Sequence, residues 1–365
     1  MRITRSSIHW PLVAVVTFVA GVGLVNLYSA LHQWGAGGHA RLFGMQCVWM
    51  GLGAALAALL ARYDYRLLQR TLKYWVVITL VLLVLVIFAG RSVGGNRNWI
   101  GIAGFGIQPS ELAKLVLVAA FAKFFTDFAN PRGYHLLQVA RPIGIALLMT
   151  GAIVLGGDMG TTLFLVVLCG SMLVIGGLRW RSVVLIIGIG TVAAVGAYQL
   201  VFTKAQRARV ATFLDPEADP RGAGYHVIQS KTAIGSGMVF GRGYRRGTVN
   251  KLRYLPEQHT DFVFPVLAEE WGFLGCAAIV TAYLLLLTFG LEIARDAGDR
   301  FGSLFAAGIV LYLFWQIAVN LGGVVGLLPM TGVTLPFLSY GGSSLLTTFI
   351  AIGFLLAIHR RRYLF

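Results

Sequence analysis

The chain has 365 residues, 57% of them hydrophobic and only 12% charged, with a mean hydropathy of +0.77. That is about half the charged share of an ordinary soluble domain, so a water-soluble fold is excluded and an integral membrane protein is expected. A net charge of +16 invites nucleic acid as a partner, but the positions of the charges argue against it.

Ten apolar runs can be counted, at 11–31, 43–61, 74–90, 109–126, 142–156, 161–177, 183–203, 271–291, 303–322 and 343–358. They predict an all-α bundle of ten transmembrane helices in one membrane domain spanning 1–365. The first run is long enough to cross the bilayer and reads as a retained span, not a cleaved leader. The fifth and sixth are short and meet at Gly-Gly-Asp-Met-Gly-Thr-Thr around Asp158. Broken backbone at that depth is tolerated only inside protein or beside a wet cavity. Cys47, Cys169 and Cys276 all lie in apolar runs and read as small core residues.

Basic residues set the orientation. With the N-terminus cytoplasmic, sixteen of the thirty Lys and Arg fall in inside segments, and only Arg41, Arg91 and Arg97 in short outside loops. Both termini are therefore expected in the cytoplasm. Lys114 lies within a span. The other ten basic residues lie in a large extracytoplasmic loop, 204–262, between the seventh and eighth spans. The charge is mostly topological, which leaves one outer concentration to explain.

A connection that long is expected to be functional. Tyr225 to Ile234 reads as a short helix. The stretch 235–247 is glycine-rich, and 231–253 carries six basic residues, among them Lys231, Arg242, Arg245 and Arg246, with no acid. Glycines let backbone N–H groups converge on an anion, and unopposed Arg and Lys hold it. The alternative is a solvated loop, or one touching lipid headgroups.

The loop ends in Leu-Pro-Glu-Gln-His-Thr-Asp-Phe-Val-Phe-Pro-Val-Leu-Ala-Glu-Glu, where Asp261, Glu269 and Glu270 stand just before an apolar run. Ionised groups near hydrocarbon are functional candidates. Thr260 or Asp261 equally suits a helix N-cap. Glu111 and Lys114 are three apart at the start of the fourth span, so they share a helix face as a structural pair or as a cavity wall. Asp158 either caps the sixth helix or faces the same cavity. Trp99, near Arg97, is a membrane-belt residue or a ligand contact. The uncharged turn around Ser339, Tyr340, Ser343 and Ser344 reads as re-entrant, its hydroxyls meeting a polar headgroup or freed backbone. His226 and His259 are too isolated for zinc, and the motifs of nucleotide, serine and zinc hydrolases are missing.

The run from Leu214 to Gly237, then Leu-Pro-Glu-Gln-His-Thr-Asp-Phe-Val-Phe, then Leu-Pro-Phe-Leu-Ser-Tyr-Gly-Gly-Ser-Ser-Leu-Leu, together with Gln-Pro-Ser-Glu-Leu-Ala-Lys at 108–114, resembles the SEDS family (shape, elongation, division and sporulation). Gln-Ser-Lys-Thr-Ala-Ile-Gly-Ser-Gly favours its elongation, or rod-shape, branch. The resemblance implies a peptidoglycan glycosyltransferase of the bacterial inner membrane. It would polymerise lipid II on the outer face, beside a class B penicillin-binding protein and the elongation machinery. It also maps the family's essential aspartate onto Asp261, as general base or as holder of a divalent cation such as Mg or Mn. Trp99, Glu111, Lys114 and Asp158 match further family positions. Two departures stand out. Gly156-Gly157-Asp158-Met159 replaces a more usual Gln-Pro-Asp-Leu, and Pro265 replaces a small residue, which is expected to delay or kink the helix after Asp261. A lipid flippase or carrier, and a scaffold for the cross-linking enzyme, are the competing readings.

Overall fold

In the computed structural model, residues 8–31, 35–93, 96–102, 105–200, 224–248 and 259–362 are described, together with Arg207, Ala211, Phe213 and Asp215. They form α1 (Trp10–Leu31), α2 (Gly35–Leu60), α3 (Arg66–Ala89), α4 (Pro109–Asp127), α5 (Ala140–Leu155), α6 (Met159–Ile175), α7 (Trp180–Leu200), α8 (Tyr225–Ser236), α9 (Val263–Arg295), α10 (Arg300–Val324) and α11 (Gly342–Arg360). Seven of these helices are long and apolar enough to cross a membrane, and α6 and the first part of α7 are shorter apolar helices. Large apolar side chains such as Phe88, Leu147, Leu155 and Val192 face outward. A soluble surface does not carry that much exposed hydrocarbon, so this is a multi-pass membrane protein.

α4 is the central helix. Fourteen of its nineteen residues are buried, and it packs against α3, α10, α6 and α5. Between Leu115 and Ala122 its residues are apolar or small on every side, the pattern of a helix enclosed by others. The outer helices pack through small residues. A side chain at Gly353 would strike the backbone of Ala57, and Gly53 admits the ring of Phe349. These positions explain the close approach of α2 to α11, since helices in lipid associate by packing and not by hydrophobic exclusion.

Two expectations are corrected. The fold is not all-α: before α4, β1 (Arg91–Val93), β2 (Asn96–Ile102) and β3 (Phe105–Ile107) form an antiparallel sheet in that order. The fold is therefore helical with one small sheet. The eighth apolar run was expected to start near 271, yet α9 starts at Val263 and takes Glu269 and Glu270 into its buried face. Pro265 neither delays nor kinks it, because in the first turn the missing N–H has no helical partner to lose. The break comes instead at Gly272, with φ 65° and ψ −161°.

At the opposite end of the bundle the charges close on one another. Asp299 caps α10 through the Gly302 N–H (2.8 Å) and accepts from Arg66 (3.1 Å) and Tyr65. Arg361 lies 3.9 Å from Asp64, and Arg362 lies 3.6 Å from Asp296.

Candidate active site

One end of the bundle gathers the ends of α1, α3, α5 and α10, the starts of α4, α6, α9 and α11, the sheet and α8. Asp261 lies here in a turn, partly exposed, two residues before α9. The cap position falls on Phe262, which offers no side-chain oxygen, so the simple capping reading of Thr260 or Asp261 fails. Backbone contacts fix the turn. The amide of Asn26 on α1 donates to the Val263 carbonyl (2.9 Å). The amide of Asn320 on α10 donates to the Asp261 carbonyl (3.3 Å) and to that of Val333 (2.8 Å). Ser339 Oγ donates to the Thr260 carbonyl (2.6 Å), and the Tyr340 N–H donates to that of His259 (2.7 Å).

The segment 325–341 thus lies against the Asp261 turn as a lining wall. A Cβ built on Gly332 would lie 3.8 Å from Asp261 Oδ2, so an unsubstituted stretch of backbone faces the carboxylate. The same segment meets α6, because a side chain at Gly160 would strike the Thr331 carbonyl. It also meets α8: the Lys231 ammonium would lie 2.7 Å from a Cβ on Gly326. One short uncharged segment therefore joins Lys231, Asp261 and the start of α6. His226 on α8 has its ring 6.3 Å from that of Phe262. Burial pushes it below the ordinary histidine value, so it is neutral near pH 7.

The other predicted residues are placed as follows. Asp158 caps α6, accepting from the Thr161 N–H (2.9 Å) and Oγ1 (2.8 Å), and also from Asn98 (2.9 Å) and Gln108 (3.3 Å). It is buried and ties the sheet to two helix starts. Trp99, on β2, lays its ring over Gly106, where a Cβ would come within 2.8 Å. The Arg97 side chain, like residues 249–258, lies outside what the structure describes. Ser343 is a buried strut, accepting from the Gln108 N–H (2.9 Å) and donating to the Gly106 carbonyl (3.1 Å). Glu111 and Lys114 pair at 2.5 Å, both buried, with the ammonium 4.8 Å from the centre of the Phe164 ring.

The glycine-rich segment packs against α9, beside the carboxylate of the protein's own Glu269. Glu269, fully buried, accepts from the Thr248 N–H (2.6 Å), with Arg242 at 3.8 Å. The Arg242 and Gly243 N–H groups donate to the carbonyls of Glu269 (2.9 Å) and Glu270 (3.0 Å). Where α9 breaks, the Phe273 and Leu274 N–H groups donate to the carbonyls of Met238 (2.8 Å) and Val239 (3.2 Å). Glycines at 237, 241 and 247 are required because a Cβ at any of them would strike α9. Glu270 accepts from Ser29 on α1 (2.5 Å). Arg245 has φ 59°, with its guanidinium 5.9 Å over the Tyr28 ring, and Arg246 is exposed.

The amides of Asn26, Gln46, Gln316 and Asn320 went unremarked in the sequence. Each is an amide in an apolar run, which must find a partner when buried. That signal was available.

The comparisons agree with this architecture. The FtsW/RodA/SpoVE family model, described as "Cell cycle protein", matches residues 9–364. Peptidoglycan glycosyltransferase MrdB of Escherichia coli K12 is 37% identical over 92% of this chain and 90% of its own length. Stage V sporulation protein E of Bacillus subtilis is 36% identical over 99% of both. Among solved structures, rod shape determining protein RodA of Thermus thermophilus superposes with a TM-score of 0.72 at 31% identity, covering 98% of each chain. A chain from a peptidoglycan synthase complex that coordinates polymerization and crosslinking reaches 0.83 at 32% identity, over 98% of this chain and 99% of that one. With the family model matched almost end to end, and with relatives above 30% identity along nearly the whole length, this chain belongs to the FtsW/RodA/SpoVE family.

Proposed function

We propose that this protein is a peptidoglycan glycosyltransferase that polymerises lipid II into β-1,4 glycan strands during cell elongation. It is a single membrane domain. Its ten spans are α1–α7 and α9–α11, and α8 lies within the outer insertion 204–262. Both termini lie in the cytoplasm, because the end bearing Arg66, Arg132, Arg179, Arg300 and Arg361 collects most of the basic residues. The site then faces the outer side of the bacterial inner membrane.

The observation that carries this reading is Asp261 itself, held by its backbone at a helix start and faced by the glycine-bearing wall 325–341, with Lys231 against the same wall. A sugar hydroxyl becomes nucleophilic when a base takes its proton. The Asp261 carboxylate accepts the proton of the acceptor's GlcNAc 4-hydroxyl. That oxygen bonds to the donor's MurNAc anomeric carbon, and the bond to undecaprenyl diphosphate breaks with a single inversion. Lys231 is the described cation best placed to meet the departing diphosphate. Arg242 and Arg245 are turned toward Glu269 and Tyr28, so their part is to hold the glycine-rich segment against α9 and α1, and Arg97, Arg246 and Trp99 remain candidate contacts for the sugar-lipid. Ser343, Asp158, Glu111, Lys114, Glu269 and Glu270 act as supports.

A resident divalent cation does not fit the described residues, among which no group of three or more His, Cys, Asp or Glu could hold one. Mg or Mn would need phosphate oxygens of the substrate beside Asp261. The class B penicillin-binding protein is the proposed partner, in keeping with the synthase complex whose chain this one resembles. A carrier would place charges on both sides of the midplane. Here Asp158, Lys231 and Asp261 gather at one end, while Arg66 with Asp299 and Arg361 with Asp64 pair off at the other, which favours an enzyme.

The test is lipid II polymerisation by the purified chain with its class B partner, comparing Asp261→Ala and Asp261→Asn with the parent. Loss of strands in both, with the partner still bound, is expected. Normal strands from both would remove Asp261 from the chemistry.

A further inference from the structure

We propose that the end of the bundle opposite Asp261 carries a binding site for one anionic phospholipid, in the groove between the end of α4 and the start of α5. A cavity of about 510 Å³ opens there, lined by Phe124, Phe128, Tyr134, Leu137, Gln138 and Arg141 among others. Its wall is amphipathic in a specific way. Leu137 is 88% exposed and Phe128 is 52% exposed, so apolar surface is left uncovered at the edge of the bundle. Arg141 stands above that surface, its guanidinium carbon 5.7 Å from the centre of the Phe128 ring. The ring holds the cation in place without neutralising it.

The polar groups beside Arg141 are already engaged. The Asn130 amide donates to the Gly133 carbonyl (2.9 Å), the Tyr134 hydroxyl donates to that of Phe128 (2.6 Å), and Gln138 Oε1 accepts from the His135 N–H (2.8 Å). The nearby acid Asp127 is taken by Lys123 at 2.8 Å. No carboxylate among the described residues pairs with Arg141. Arg179, which donates to the Arg132 carbonyl and meets His135, adds further positive potential.

These features specify the occupant from two directions. A soluble anion would satisfy Arg141 and leave Leu137 and Phe128 bare. A neutral acyl chain would cover them and leave the guanidinium without an acceptor. An anionic phospholipid does both: its phosphate meets the planar donor fork of Arg141, and its acyl chains lie on Leu137 and Phe128. The site would draw on the anionic lipid of the leaflet that attracts juxtamembrane basic residues. It shares no residue with the Asp261 site, so either reading can fail without the other.

The test uses the full-length chain, purified and delipidated in detergent. Phosphatidylglycerol or phosphatidylcholine is titrated in, and bound lipid is counted by native mass spectrometry. Retention of one phosphatidylglycerol in preference to phosphatidylcholine is expected. Arg141→Gln, an exposed change, should weaken it about tenfold, the loss of one charge-assisted contact. Leu137→Ser should weaken both lipids, and Arg70→Ala, on α3 and outside the cavity lining, neither. Equal retention of the two lipids, wild-type binding by Arg141→Gln, or competition by soluble glycerol phosphate at matching concentration would each overturn the proposal.

Discussion

Replacing Lys114 by Met puts the enclosure of the α4 charges to a quantitative test. The Glu111–Lys114 pair is 2.5 Å long, and its side chains are 9% and 2% exposed. Glu111 Oε2 has no hydrogen-bond partner in the core. Lys114→Met therefore leaves a carboxylate buried and uncompensated, a loss of about 3–5 kcal/mol. An exposed pair of the same geometry would register at most about 1 kcal/mol. The double variant Glu111→Leu/Lys114→Met removes both charges and fills the space with hydrocarbon. It should return to within about 1 kcal/mol of the parent or exceed it, because well-packed apolar residues commonly replace buried ion pairs without loss. The assay is unfolding of the purified protein in mixed micelles with increasing SDS, run as a double-mutant cycle. A single variant within about 1 kcal/mol of the parent, or a double variant as unstable as the single, would refute the reasoning. Either result would mean that the pair lines a wet cavity instead of a dry core.

Three further outcomes are expected. Asn320→Leu removes the amide shared by the Asp261 and Val333 carbonyls; it should destabilise by about 1–3 kcal/mol and lower the kcat of polymerisation more than the KM, and unchanged kcat would show that this amide does not position Asp261. Gly272→Ala places a Cβ at φ 65° against the backbone of Gly241 and Val239. The strain of about 1–3 kcal/mol should release the 238–243 segment and speed tryptic cleavage after Arg242 and Arg245, whereas an unchanged digestion rate would count against the docked arrangement. At the end of the bundle opposite Asp261, burial opposes ionisation of Asp299, but hydrogen bonds from Tyr65, the Gly302 N–H and Arg66 outweigh it and hold the carboxyl below its ordinary value. Its contribution to stability is present above the unfolded value of about 3.9 and is lost as pH falls through the lower folded value. Tyr65→Phe should reduce that acid-side loss in thermal midpoints measured against pH, and an identical acid slope would argue against the link.

Much of the helical framework was legible because bilayer crossing imposes length and hydropathy on each segment separately. The runs at 11–31, 109–126, 303–322 and 343–358 lie close to α1, α4, α10 and α11. The short helix α8, which crosses no bilayer, was visible from its own local residue pattern. The start of α9 was not legible. Glu269 and Glu270 look like the end of a polar loop, and tertiary contacts, among them those of Thr248, Arg242 and Ser29, make their burial tolerable. The sheet at 91–107 was hidden as well, since its strands are short and glycine-rich and pair only with each other.

The sequence by itself determined a membrane protein and its family, and singled out Asp261 as the residue to test, because those follow from composition and from motifs contiguous in the chain. What only the tertiary structure decided is what each polar group faces. Arg242 turns to Glu269, Asp158 to the α6 start, and Ser343 to the sheet, while Asn26 and Asn320 reach from distant helices to the Asp261 turn. The physical reason is that a buried polar group must find a partner somewhere, and the partner's place in the chain is set by helix packing, not by spacing along the sequence.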